Sequence, residues 1–469
     1  MLTYDLDKRG STPLYDYLYQ CIRQDIISGR LQAGERLPSK RTLAQHLSVG
    51  IITVANAYAQ LAVEGYITSR EKKGYFVEDV SSYRVRRKTA AAMLPEAAER
   101  EYFADFKANR ISLQNFPLAT WARLMRETLS VHNEELLKTV PYKGVYELRK
   151  AIAAYLAHNR AIQVDPSQII IGAGTEYLYG RLLQMFGHAC TFAIEEPADL
   201  TVASISASFG NPWKYIPIDD NGLMIDKLEE SGADVVHLSP ANHFPTGIVM
   251  PVTRRLELFE WVNRIRKRYI IEDDYDSEFR YTGRFILPLY AQDTQSRVIY
   301  MNTFSKSLVP SLRISYMVLP PRLLERYEQT MSFYSCTVSS FEQYTLARFI
   351  SEGYFERHIN KMKNYYREQR HKILAAIHAS PLAVVSQITE RNAGTHFVLH
   401  INTKLTEAEV RKAALAADMC LSFYSDYSHN TEENNGCTLV INYAAIEADK
   451  IAAVIERLSS LFPECNQIS

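Results

Sequence analysis

The sequence predicts an α/β chain built in two parts, and three observations predict it. Residues 1–80 hold three stretches with apolar residues at helical spacing, then a short alternating run with a turn at its tip. From about residue 105, apolar runs of strand length alternate with helical stretches. Between the two, over residues 81–104, the periodicity fades. A length of 469 residues suits two or three domains.

The first part follows from spacing. In PLYDYLYQCIRQDIIS, Leu14, Leu18, Ile22 and Ile26 recur every four residues and mark one face of a helix that Gly29 can end. In LPSKRTLAQHLSV, Ser39 is a natural N-cap and Leu43 and Leu47 share a face. After the turn SVGI, the stretch ITVANAYAQLAVEG sets Val54, Tyr58 and Leu61 on an inner stripe, with Gly65 just past the helix end. YITSREKKGYFV then alternates as a hairpin with Lys72, Lys73 and Gly74 at its tip. Three helices and a two-stranded wing make a winged helix-turn-helix, whose second and third helices form the reading unit.

Charge narrows the partner. Lys+Arg and Asp+Glu both number 53, so a uniformly basic nucleic-acid coat is excluded and DNA affinity must be local. Residues 1–80 contain ten Lys/Arg and nine Asp/Glu, a net of +1. Lys40 and Arg41 at the start of the second helix, with Arg70, Lys72 and Lys73 on the wing, lie where phosphates of double-stranded DNA would run. Charges alone are usually solvated surface, so the order of elements is what points to DNA. Thr53, Asn56 and Tyr58 are candidate contacts on the third helix, Tyr58 being equally readable as core.

The six cysteines are scattered without a CxxC pair, so zinc spacing is absent and a reduced, cytoplasmic setting is expected. MLTYDLDKRG has no apolar h-region, which predicts no secretory signal. No apolar run reaches the roughly 20 residues that span a bilayer, so no membrane partner is expected. The stretch EDVSSYRVRRKTAAAMLPEAAEREYF, with the basic run Arg84, Arg86, Arg87 and Lys88, reads as a linker between parts that move relative to one another.

In the second part, SQIIIGAGTEYLYGRLLQMF predicts a strand, a glycine turn and a helix. TFAIEEP, DVVHLSP, YIIEDDYDSEF, VIYMNTFSK and ISYMVLP predict further strands, and Leu258, Trp261, Val262 and Ile265 mark one face of an intervening helix. Repeated β-α-β order predicts a mostly parallel sheet, with ligands at the carboxyl ends of its strands.

The chemically suggestive residues all fall at those ends. Gly174, Thr175 and Glu176 open a helix, whose free N–H groups suit a phosphate. Asp273 and Tyr275 follow the IIEDDY strand, Ser305 and Lys306 follow VIYMNT, and Arg313 precedes the next strand. Each has a plain alternative: a common turn, a structural cap, a solvated lysine, an arginine paired with an acid. Together they fit pyridoxal 5'-phosphate. Lys306 can form a Schiff base with its aldehyde, and Asp273 can keep its ring nitrogen protonated. Tyr275 can donate to its phenolic oxygen, while Thr175, Ser305 and Arg313 can hold its phosphate.

Two resemblances bear on these residues. LYDYLYQCIRQDIISGRLQAGERLPSKRTLAQHLSV, TVANAYAQLAVEGYI and GYFV resemble the GntR family of bacterial regulators over about seventy residues. SLQNFPLATWARL, GVYELRKAIAAYL, IIIGAGTEY, HFPTGIVM, IIEDDYDSEFRY, NTFSKSLVPSLRISY and GYFERHINKM resemble fold-type I aminotransferases across residues 105–469. The two in this order resemble the MocR subfamily of bacterial transcriptional regulators. The resemblance implies an aminotransferase-like body with a smaller C-terminal α+β subdomain, a pyridoxal phosphate-binding effector site, and a head-to-tail homodimer. It implies a DNA-binding regulator that senses the cofactor or a related amine. The alternative is a pyridoxal phosphate-dependent aminotransferase with an accessory DNA module.

Four positions depart from the resembling families. Gly50-Ile51-Ile52 stands where a Ser-Arg-polar turn is usual, removing expected phosphate and base contacts. Asp199 aligns with an aromatic that would stack on the cofactor ring, and Phe244 with an asparagine that would bond its phenolic oxygen. Val440 aligns with the arginine that holds a substrate α-carboxylate, and no arginine lies between Arg411 and Arg457. A buried carboxylate without a cation costs roughly several kcal/mol. Efficient transamination is therefore not expected, and no catalytic residue or metal ligand is assigned.

Overall fold

The computed structural model describes residues 2–80, 100–107, 115–131, 134–281, 285–391, 393–429 and 436–466. The basic run Arg84, Arg86, Arg87 and Lys88 lies outside them. The chain divides into two compact units, Met1–Glu99 and Arg100–Ser469.

In the first unit, α1 (Leu14–Ser28), α2 (Lys40–His46) and α3 (Ile51–Val63) precede a hairpin of β1 (Ile67–Arg70) and β2 (Gly74–Val77). α1 ends at Gly29, whose left-handed φ of 80° no β-carbon favours. Ser39 caps α2 by accepting the Thr42 N–H at 3.2 Å. The faces read from the sequence meet in one core of Leu18, Ile22, Ile26, Leu43, Val54 and Leu61. Tyr58 belongs to that core, fully buried, with its hydroxyl donating to the Pro38 carbonyl at 3.0 Å. It is thus unavailable to DNA, because α3 turns it away from solvent.

The second unit begins with β3 (Ala104–Asp105), α4 (Leu118–Val131) and α5 (Tyr146–Arg160). Next come β4 (Ile169–Gly172), α6 (Thr175–Phe186), β5 (Phe192–Glu196), α7 (Leu200–Ser208), β6 (Trp213–Asp219), β7 (Gly222–Leu223), α8 (Ile225–Glu230) and β8 (Val235–Leu238). α9 (Val252–Arg264), β9 (Tyr269–Asp273), α10 (Leu289–Gln292), β10 (Val298–Thr303), α11 (Phe304–Ser307) and β11 (Ser315–Val318) follow. The strands form one eight-stranded sheet in the order β4-β11-β10-β9-β8-β5-β6-β7. The pairs from β10 through β9, β8 and β5 to β6 are parallel, and β11 runs antiparallel to both its neighbours. β4 therefore points the same way as β10, and the carboxyl ends of β4, β5, β8, β9 and β10 share one edge.

The fully buried sheet interior explains why these strands read as continuous apolar runs: all six residues of β10 are buried. β6, WKYIPID, has only one buried residue and gave no such signal. Ile265 corrects the reading of α9. The helix stops at Arg264, and Ile265 is extended and 39% exposed, while Leu258, Trp261 and Val262 are buried.

α12 (Pro321–Met331), α13 (Ser340–Ser351) and the 25-residue α14 (Tyr354–His378) lead to a three-stranded antiparallel sheet of β12 (Ser386–Thr389), β13 (His396–Ile401) and β15 (Cys437–Asn442). β14 (Met419–Cys420) pairs with β3, tying residues 104–105 into this subdomain. Among the described residues no helix is long and apolar enough to cross a membrane.

Candidate functional site

The shared strand edge encloses a cavity of about 280 Å³. Thr175, Glu176, Asp273, Tyr275, Ser305, Lys306 and Arg313 all line it. Gly174 sits just behind, in a left-handed conformation with φ 99°, where a β-carbon would collide with the Arg313 guanidinium. A larger, open cleft of about 740 Å³, lined by Arg266, Lys267, Arg322 and Arg326, contains none of these residues and lies at the strands' opposite ends.

Lys306 lies in α11, a single turn capped by Thr303, whose hydroxyl accepts the Ser305 N–H at 3.1 Å. From behind, the His358 ring contacts the Ser307 carbonyl at 2.9 Å. Burial lowers the Lys306 pKa, while Asp276, Asp199 and Asp273 act in the opposite sense. A desolvated amine that loses its proton more readily is a better nucleophile.

Tyr275 has its phenol pKa raised well above 10 by burial and by the surrounding acids Asp276, Asp273, Glu195 and Asp199. It stays protonated and can donate, and its hydroxyl donates to the Asn242 carbonyl at 3.2 Å. Asp273 ends β9 with His237 Nε2 at 3.7 Å from its carboxylate. Arg313 is not free: it pairs with Glu176 at 2.5 Å, both side chains being about half exposed, 50% and 49%. The Ser305 hydroxyl oxygen is buried without a hydrogen-bond partner among the described residues. A buried hydroxyl beside a helix N-terminus and an arginine suits an anionic oxygen.

Sequence reasoning missed a second layer. Asp276 is buried and accepts from Asn242 Nδ2 at 2.7 Å, and burial pushes its pKa up to about 8. His396, from the first position of β13, is pushed down to about 4 by burial and then by Lys306. Phe244 lines the cavity with its ring edge-on to His396 and Tyr427, at centroid distances of 4.9 and 4.7 Å. Asp276 lies inside the IIEDDYDSEF stretch. No local signal marked His396, because its sequence distance from Lys306 hides their proximity.

The departures also have positions. Asp199 caps α7, accepting the Thr201 N–H at 2.9 Å, and lines the cavity. Val440 is buried in β15, paired with Val398 inside the small sheet.

In the first unit, Lys40 and Arg41 are the first residues of α2, and Thr53 lies half-buried in the first turn of α3. Lys40 Nζ stands 5.1 Å from the centre of the Tyr75 ring, and the Arg70 guanidinium 4.6 Å from that of Phe76. The Leu37 N–H donates to the Tyr75 carbonyl at 2.9 Å, fastening the approach to α2 against the wing. Lys72 and Lys73 extend into solvent at the hairpin tip.

Comparison with known proteins places both units. Residues 14–77 match the family model of bacterial regulatory proteins, gntR family, and residues 104–458 that of aminotransferase class I and II. The HTH-type transcriptional regulator YdeL of Bacillus subtilis is 35% identical over 98% of this chain and 99% of its own. The probable rhizopine catabolism regulatory protein MocR of Rhizobium meliloti is 30% identical over 97% of this chain and 95% of its own. In fold, the second unit is similar to the multiple substrate aminotransferase of Thermococcus profundus, with a TM-score of 0.69 and 24% identity over 81% of this chain and 98% of that one. The chain belongs to the MocR-type transcriptional regulators, in which a GntR helix-turn-helix is joined to an aminotransferase class I and II domain.

Proposed function

We propose that the larger unit binds pyridoxal 5'-phosphate in the cavity around Lys306 and that its occupancy sets the DNA affinity of the winged helix. The observation that carries this reading is the unpartnered Ser305 hydroxyl beside Thr175 and Arg313, on the same strand edge as Lys306 and Asp273. The cofactor, when bound, supplies an aldehyde for an amine and an electron-withdrawing ring. Lys306 would be the covalent anchor, Asp273 would pair with the ring nitrogen, and Tyr275 would turn its one hydroxyl proton from the Asn242 carbonyl to the phenolic oxygen. Thr175, Ser305 and the backbone at Gly174 would hold the phosphate together with Arg313, which now pairs with Glu176. The sensed molecule is the cofactor itself or a related amine, and the protein acts as a head-to-tail homodimer on double-stranded DNA. Lys40, Arg41, Arg70, Lys72 and Lys73 meet phosphates, and Thr53 faces the groove.

The test is a titration of purified full-length protein with pyridoxal phosphate, followed by visible absorbance and by band shifts on operator DNA. A new absorbance band and a cofactor-dependent change in DNA affinity are expected. Linkage requires DNA to change cofactor affinity by the same factor. DNA affinity identical at zero and saturating cofactor would sink the reading.

The aminotransferase reading needs a cation for an α-carboxylate. Val440, buried in the small sheet, offers none. Half-reactions with a panel of amino acids separate the two: rapid conversion of bound cofactor to its amine form would favour the enzyme.

A further inference from the structure

The turn into α3 presents two apolar side chains to solvent. Ile51 is 51% exposed and Ile52 76% exposed, and they are the first two residues of the helix. Their setting is unusual for stray surface hydrophobics. Ile52, Asn56, Ala59 and Val63 follow one another at helical spacing along the exposed side, with Val63 84% exposed. From Gly50 to Val63 the sequence carries no charged residue. In the sequence, cations lie on either side of this uncharged stretch, Lys40 and Arg41 on α2 and Lys72 and Lys73 on the wing.

In a helix-turn-helix, the N-terminal residues of the second helix reach base edges in the major groove. Isoleucine has neither donor nor acceptor, so it cannot read the hydrogen-bonding pattern of a base. Pressed against the amino and carbonyl groups of a G·C pair, it would strip water from polar atoms and give nothing back. Thymine alone among the four bases offers a methyl group there. An uncharged apolar tip flanked by phosphate-seeking cations matches a groove lined by such methyls between two phosphate backbones.

We propose that Ile51 and Ile52 are specificity-determining residues that recognise thymine 5-methyl groups in each half-site. They take over base readout from the polar turn they replace. This proposal does not depend on what occupies the cavity of the larger unit.

The test uses full-length protein. Half-sites are first obtained by in vitro selection from random duplex DNA. Each thymine is then replaced singly by deoxyuridine, which removes only the 5-methyl group. Affinity should fall about fourfold at one or two positions per half-site, the worth of one buried methyl. In the variant Ile51→Ala/Ile52→Ala, thymine and deoxyuridine duplexes should bind equally, with the salt dependence unchanged. Ile52→Val, a milder change, should keep a reduced penalty. Selected half-sites without thymine, or deoxyuridine silent at every position, would overturn the proposal. So would a double variant that keeps the full penalty. A variant whose only change is weaker self-association, seen by sedimentation, would instead assign the apolar tip to a second copy of the chain.

Discussion

Lys72 and Lys73 at the wing tip stand in solvent, whereas Arg160 and Asp274 in the larger unit pair with side chains 4% and 1% exposed. The same charge types serve opposite ends. At the wing, ions are screened, replaceable and individually cheap to lose, which suits a surface that slides over phosphates. Beneath the cavity, each charge has been taken out of water and is held by specific partners. Tyr300 donates to Asp274 at 2.6 Å, and Glu272 accepts the Leu289 and Tyr290 N–H groups at 2.8 and 2.9 Å. One unit carries its charges as many small terms, the other as a few large ones.

The sharpest break would come at Lys306. Lys306→Ala should abolish the visible absorbance of cofactor-loaded protein and leave DNA affinity indifferent to cofactor, while the isolated band-shift affinity stays near wild type. Next in size is the buried pair. Arg160→Ala leaves Asp274 without its cation and should cost about 3–5 kcal/mol. Denaturant unfolding should place that loss in the larger unit and leave the winged helix transition where it was.

A middle-sized effect concerns pH. Burial pushes the Asp276 carboxyl up to about 8 in the folded protein, against an ordinary value of 3.8. Between those values the folded chain holds a proton that the unfolded chain has released. The stability it contributes is therefore fully present below about pH 4 and is lost as pH rises toward 8. Glu278, also pushed up by burial and by Asp274, acts in the same direction. Asp276→Asn mimics the protonated acid and can still accept from Asn242. It should flatten the dependence of the urea midpoint on pH over that range.

The smallest effects belong to the wing. Lys72→Ala and Lys73→Ala should each lower the salt dependence of DNA binding by about one phosphate's worth. Thermal stability should change by no more than about 0.5 kcal/mol. A loss confined to particular operator sequences would show that these lysines read bases and would erase the contrast with the larger unit.

Much of this is legible in the sequence itself, and the reasons are local. Helix caps such as Ser39 and Gly29 and the four-residue spacing of α1 act within a few residues, so their sequence pattern is their cause. The cavity residues were legible because β-α-β order sends every parallel strand's end to one edge. What stayed hidden depended on distance along the chain. His396 reaches the neighbourhood of Lys306 only through the packing of the small subdomain, and Glu176 neutralises Arg313 from 137 positions away. β6 was missed because an edge-side strand with a single buried residue lacks the apolar run that announced its neighbours.

Gly174 has a genetic consequence. Any missense single-nucleotide change of a glycine codon installs a β-carbon, and here that atom would meet the ends of the Arg313 and Glu176 side chains in a backbone conformation that already disfavours it. The surrounding sheet does not rely on this residue for its pairing. A missense change here should therefore displace the Arg313–Glu176 pair at the cavity, while the core of the first unit, which shares none of these residues, stays as it was.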